Sequence, residues 1–197
     1  MLGRDLMAGN RRKMLAARDD LADKVSGISA SKGFTLFQML NNMLELSIKA
    51  HGIGTSLEET FDTYLTMKSV KEASFTLIPE NLLYETAEVA FTKAKEKTSK
   101  IWFDSGTWIA QQYITRDIDD PFSKIGKDLK AFGWNIPEFT LEKTKDVISV
   151  RVLSPRFSEV YSHLFAHFLE GIVTTFGYSI NHKEVGKGNI RIEAVKK

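Results

Sequence analysis

The sequence predicts an α+β fold, with a helical N-terminal unit followed by an α+β domain built on an antiparallel sheet. Three observations carry this. Up to Val70 the apolar residues recur at three- and four-residue spacing, the mark of amphipathic helices. From Asp146 onward, β-branched runs alternate with one long apolar helix pattern. Near the end, Gly186-Lys187-Gly188 separates two such runs and supplies the residues of a tight hairpin turn.

Taken in order, Leu21, Val25 and Ile28 form one stripe and predict a helix over 19–32, capped by Asp19 or Asp20 and shortened by Gly27. Gly33 is a helix stop. Thr35 caps a longer helix carrying Leu36, Met39, Leu40, Met43 and Leu44, which ends at the glycines of 51–54. Ser56 and Glu59 have capping-box spacing and start a third helix. Residues 74–79 read as a short strand stopped by Pro79. Helices follow over 80–97, 104–115 and 122–132, the last stopped by Gly133. Residues 146–153 form a strand, Pro155 opens a helix that runs to Phe176, and 178–185 and 189–195 are the two strands of the hairpin. This organisation divides the chain into 1–54, a connecting helix and strand at 55–78, and an α+β ligand-binding or dimerisation domain at 79–197.

Of the 197 residues, 43% are apolar and 26% charged, and net charge is +2, an ordinary globular balance. No apolar run is long enough for a membrane span. The N-terminal MLGRDLMAGNRRK has no apolar core of a secretory signal. With no cysteine, disulfides and thiolate metal sites are excluded. The expected location is therefore cytoplasmic. Charge is unevenly spread: residues 1–18 hold Arg4, Arg11, Arg12, Lys13 and Arg18 against Asp5 alone. Such a segment can neutralise phosphates in a chain that is near neutral overall.

The order of a basic segment (Asn10–Ala17), a short helix, Gly33, an apolar Phe34, a threonine cap and a longer helix resembles the ribbon-helix-helix DNA-binding fold of archaeal and bacterial repressors. The resemblance covers residues 10–52. It implies a homodimer whose paired N-terminal strands enter the major groove of double-stranded DNA. Contacts would come from Arg11, Arg12, Lys13 and Met14, with the backbone at Gly33 and Thr35 clamping a phosphate. Either Arg12 and Met14 or Arg11 and Lys13 would face the bases, since one residue of slip exchanges the faces. The alternative for this segment, which lacks β-branched residues, is a helix used for association.

Residues 80–197 resemble the vinyl-reductase-type small-ligand-binding domain, whose fold is shared with trafficking-complex subunits related to Bet-three. The matching residues are Gly126, Gly133-Trp134, Val147–Leu153, Gly171, Phe176-Gly177-Tyr178 and Val185 through Ile192. The family's hairpin cysteines are missing, with Val185 and Asn189 near their places. The resemblance implies an apolar pocket or a dimer platform. Aromatic residues at element ends make Trp102, Phe103, Trp108, Trp134, Phe165 and Phe168 the pocket candidates.

His163 and His167 lie one helical turn apart and could ligate a metal. Asp117, Asp119 and Asp120 lack the glycine and distal glutamate of a calcium loop. No serine is paired with a base and no carboxylate dyad stands out, so no catalytic residue is assigned and no enzyme is expected. The expectation is a DNA-binding transcription regulator with no cofactor, open to a small apolar ligand. The alternative is an assembly subunit or a small-molecule sensor that does not bind DNA.

Overall fold

The structure is a computed structural model that describes residues 13–73, 75–133 and 136–197. It is α+β, and the chain divides into a unit spanning 1–61 and a unit spanning 62–197.

In the first unit, α1 (Asp19–Ser31) and α2 (Leu36–Gly52) are set by local signals. Gly33, at φ +70°, ends α1 in a left-handed turn that other residues rarely adopt. Thr35 and Gln38 form a reciprocal capping box: the Gln38 N–H donates to Thr35 Oγ1 (3.2 Å) and the Thr35 N–H to Gln38 Oε1 (2.9 Å). Ser56 and Glu59 repeat that box before α3 (Leu57–Glu72), at 3.1 and 2.8 Å. The Ser56 N–H first, and then the Thr55 hydroxyl (2.8 Å), donate to the Glu59 carboxyl and hold it below its usual value. The N-cap of α1 is Arg18, not Asp19 or Asp20, and no side chain caps it. α1 runs 13 residues, Asp19–Ser31, and ends one residue short of the expected 19–32.

The paired strand expected over Asn10–Ala17 is corrected. Arg11 and Arg12 lie outside the described residues, and Lys13–Ala17 is exposed and irregular. A segment of helix formers without β-branching has little to hold it extended. The strand expected at 74–79 is also absent over the described 75–79, since a lone extended run finds no neighbour to complete its ladder.

The second unit adds α4 (Glu80–Lys93), α5 (Lys95–Ile114), α6 (Pro121–Phe132), β1 (Glu138–Lys143), β2 (Val147–Leu153), α7 (Glu159–Thr175), β3 (Tyr178–Gly186) and β4 (Asn189–Lys196). α5 starts nine residues before the expected Asp104, because the chain breaks only at Ala94 (φ −153°, ψ 62°). Asp120 caps α6 by accepting from the Ser123 N–H at 3.1 Å. Ser158 caps α7 by accepting from the Tyr161 N–H at 3.1 Å, so that helix starts after Pro155.

The four strands are antiparallel in the order β1-β2-β4-β3. β1 went unread in the sequence because its ends are charged, as edge strands often are. Strict alternation puts Ile148, Val150 and Val152 of β2 on the covered face, opposite Ala194, Ile192 and Ile190 of β4. Ala166, Leu169, Ile172 and Val173 of α7 are buried with them.

α5 then packs on α7 through two glycines. A Cβ on Gly106 would collide with the Phe168 carbonyl oxygen, and one on Gly171 with that of Phe103. Only glycine lets the two backbones come this close. Asp128, 4% exposed, ties three helices together, accepting from Ser69 Oγ (2.9 Å), Tyr113 Oη (2.8 Å) and Lys124 Nζ. Burial first, and then the bond to Asp128, pushes the Tyr113 hydroxyl pKa up.

Candidate functional site

The second unit holds an aromatic-lined cavity of about 330 Å³, within the range of small-molecule sites. It is assembled from separate elements. Tyr161, Phe165 and Phe168 stand at i, i+4 and i+7 on α7 and line one wall. Their rings are stacked nearly parallel, 5.9 Å apart at each step. Trp102 of α5 meets the Tyr161 ring edge-on at 5.5 Å. Phe157, from the turn before α7, meets it at 4.7 Å, and Tyr84 of α4 at 4.7 Å. The end of α6 contributes Leu129, Phe132 and Gly133, and the irregular stretch Phe75–Ile78 closes another side.

One end of this lining is polar. Glu80, at the first turn of α4, accepts from the Tyr84 hydroxyl at 2.6 Å and is paired with Arg156 at 3.1 Å. Burial, and then the bond to Glu80, pushes the Tyr84 hydroxyl pKa up. The Tyr161 hydroxyl is raised to about 12, mainly by burial and then by the negative charge of Glu80. Both phenols are therefore neutral donors at physiological pH.

Of the six expected pocket residues, Trp102, Phe165 and Phe168 line the cavity. Phe103 and Trp108 do not. They share α5 with Trp102, but the 3.6-residue period turns them to other faces, and Trp108 is 46% exposed. Trp134 lies outside the described residues. Sequence reasoning missed Glu80, Tyr84, Phe157 and Tyr161. The available signals were the i, i+4 pair in "ENLLYE" and the aromatic spacing 161, 165, 168.

His163 and His167 are on α7 but outside the cavity lining. His167 Nδ1 lies 3.7 Å from Glu170 Oε2, and Lys183 Nζ donates to Glu170 Oε1 at 2.6 Å. Burial works to raise the Glu170 carboxyl, but the His167 and Lys183 interactions outweigh it and hold the group below its ordinary value. Among the described residues no group of three or more His, Cys, Asp or Glu side chains is placed to hold a metal ion. No helix among them is long and apolar enough to cross a membrane.

The expected phosphate clamp is corrected by its own hydrogen bonds. The Gly33 N–H donates to Ala30 O (3.1 Å), the Phe34 N–H to Ser29 O (2.9 Å) and the Thr35 N–H to Gln38. Those donors are used within the chain. Lys13 and Met14 are exposed on an irregular segment.

No protein-family model and no curated protein matches the sequence. Several solved structures resemble the chain. One, described as probing the function of heme distortion in the H-NOX family, is 15% identical, with 70% of this chain and 86% of the other covered and a TM-score of 0.37. A second concerns heme redox potential and protein-induced porphyrin distortion, at 15% identity, 70% and 91% coverage and a TM-score of 0.37. A third is an oxygen-binding H-NOX domain related to soluble guanylate cyclases, at 15% identity, 79% and 94% coverage and a TM-score of 0.38. None is described as a ribbon-helix-helix protein, a vinyl-reductase-type domain or a DNA-bound regulator, and two descriptions speak of heme. The ribbon-helix-helix reading, and with it the DNA-bound homodimeric regulator, is corrected by the irregular Lys13–Ala17 and by the N–H groups of Gly33, Phe34 and Thr35 that are bonded within the chain. These solved structures are described by heme and H-NOX domains where the sequence reading expected a vinyl-reductase-type domain and no cofactor.

Proposed function

We propose that the chain is a non-catalytic small-molecule sensor whose ligand site is the aromatic cavity between α4, α5, α6 and α7. The observation that carries this reading is the lining itself: among the described residues, eight aromatic side chains around about 330 Å³, with one carboxylate, Glu80, at one end. Such a surface repays an apolar ligand by burying it, and its few polar groups set orientation. A sensor also needs an element that answers to occupancy. Phe75–Ile78 forms part of the wall without regular secondary structure, so a ligand packed against it would order it.

Heme, spoken of for two of the similar structures, needs an axial ligand such as His, Cys, Met or Tyr. Among the described residues no His, Cys or Met lines this cavity. The two lining tyrosines keep their protons, one of them in the bond to Glu80. The lining does not fit an axially held porphyrin.

The test is a thermal-shift and calorimetric titration of the full chain with naphthalene, in parallel with hemin. Saturable one-to-one naphthalene binding that raises Tm, and that Leu83→Trp abolishes by filling the cavity, is the expected result. A stoichiometric hemin complex with a Soret shift, or no naphthalene binding, would overturn the reading.

A further inference from the structure

We infer that the cavity selects an apolar molecule carrying one neutral oxygen, an alcohol or a carbonyl, and that Tyr161 is the residue that recognises that oxygen. The inference rests on the ligand-binding reading above and names the ligand class for the same site.

The argument starts from the Tyr161 ring. It is packed by Tyr84, Trp102, Phe157 and Phe165. Among the described residues its hydroxyl forms no hydrogen bond, although the side chain lines the cavity. A phenol that lines the cavity and donates to no protein group can donate to a ligand oxygen in exchange for solvent. The neighbouring Tyr84 hydroxyl cannot compete for that ligand, because it already donates to Glu80.

The charge of the head group follows from Glu80. A ligand carboxylate would have to be stripped of water among aromatic rings, and the nearby Arg156 charge is already engaged by Glu80 at 3.1 Å. A ligand ammonium would find Glu80 already paired with Arg156 at 3.1 Å, so the attraction is largely spent. A neutral oxygen carries neither cost. Thr76, the other hydroxyl of the lining, is exposed and so is wetted by solvent.

Calorimetry of the full chain with four probes on one skeleton tests this: naphthalenemethanol, methylnaphthalene, naphthoate and naphthylmethylammonium. The alcohol should bind about fivefold tighter than the methyl compound, the return expected from one hydrogen bond. It should bind about tenfold tighter than naphthoate. In Tyr161→Phe the alcohol-to-methyl affinity ratio should fall to about one. In Glu80→Gln naphthoate should gain on the alcohol. If no probe binds, the sensor reading itself fails. Methylnaphthalene binding as tightly as the alcohol, the ratio surviving in Tyr161→Phe, or naphthoate or the ammonium binding tightest would overturn this inference and leave the cavity as a ligand site.

Discussion

The two units of the chain use the same kind of amphipathic helix to different ends. Among the described residues up to Phe61 only Ser29 and Ala50 are buried, while Leu36, Phe37, Leu40, Met43 and Leu44 of α2 stay between 40% and 49% exposed. In the second unit, Ile125, Ile148, Leu164, Leu169, Ile172, Ile190 and Ile192 are fully buried. The difference is the sheet. Alternating β2 and β4 offer a wide apolar face on which α7 can lie, and α5 can then approach α7 through Gly106 and Gly171. Helix α2 starts at the Thr35–Gln38 capping box and α1 ends in the Gly33 turn, and among the described residues neither rests on a core of this kind. Periodicity thus reports which face is apolar, and a second layer is needed before that face is buried.

The largest test of this contrast is a matched pair of truncations. Ile192→Ala should lower stability by about 2–5 kcal/mol through lost burial and the cavity left behind. Leu40→Ala, at a site 42% exposed, should cost less than about 1 kcal/mol. Denaturant unfolding of the two variants reads both values. Equal costs would mean that α2 is covered in solution as fully as the sheet, and the contrast would break.

Smaller in size is the Glu170 cluster, which ties α7 to β3 through Lys183. Because the carboxyl is held below its ordinary value of 4.5, the unfolded chain binds the proton more readily. The stability it contributes is complete above that ordinary value and is lost as pH falls through the lowered one. Glu170→Gln should therefore cost about 1.5–3 kcal/mol at neutral pH, the scale of hydrogen bonds to charged groups. The gap in Tm from wild type should close on acidification below 4.5. A gap that widens in acid would reverse the assignment.

The smallest effect is reserved for the first unit. Thr35→Ala removes one arm of the capping box and should cost about 1 kcal/mol of α2 stability, seen as faster amide exchange in its first turn. No change there would mean that tertiary burial, not the cap, sets where α2 begins.

Legibility in the sequence followed the range of the interaction. The stop at Gly33, the caps at Thr35 and Ser56, the alternation of Ile148, Val150 and Val152, and the hairpin at Gly188 (φ +72°) are decided within a few residues and could be read from them. A strand at 75–79 could not be rejected the same way, because an extended segment becomes a strand only when a neighbour completes its ladder. Nor could β1 be found, since its place beside β2 comes from a register of Phe139 with Val152 and Leu141 with Val150.

The candidate site shows the same division. The spacing that sets Phe165 and Phe168 on one face of α7, and Glu80 one turn from Tyr84, is a local pattern present in the sequence, although only the two phenylalanines are among the expected pocket residues. Tertiary structure decided that these two faces, with Trp102 and Phe75, enclose one cavity. The reason is packing across long separations: where α7 rests on the sheet and how closely α5 crosses it at Gly106 and Gly171 determine which aromatic residues meet, and no local pattern encodes those distances.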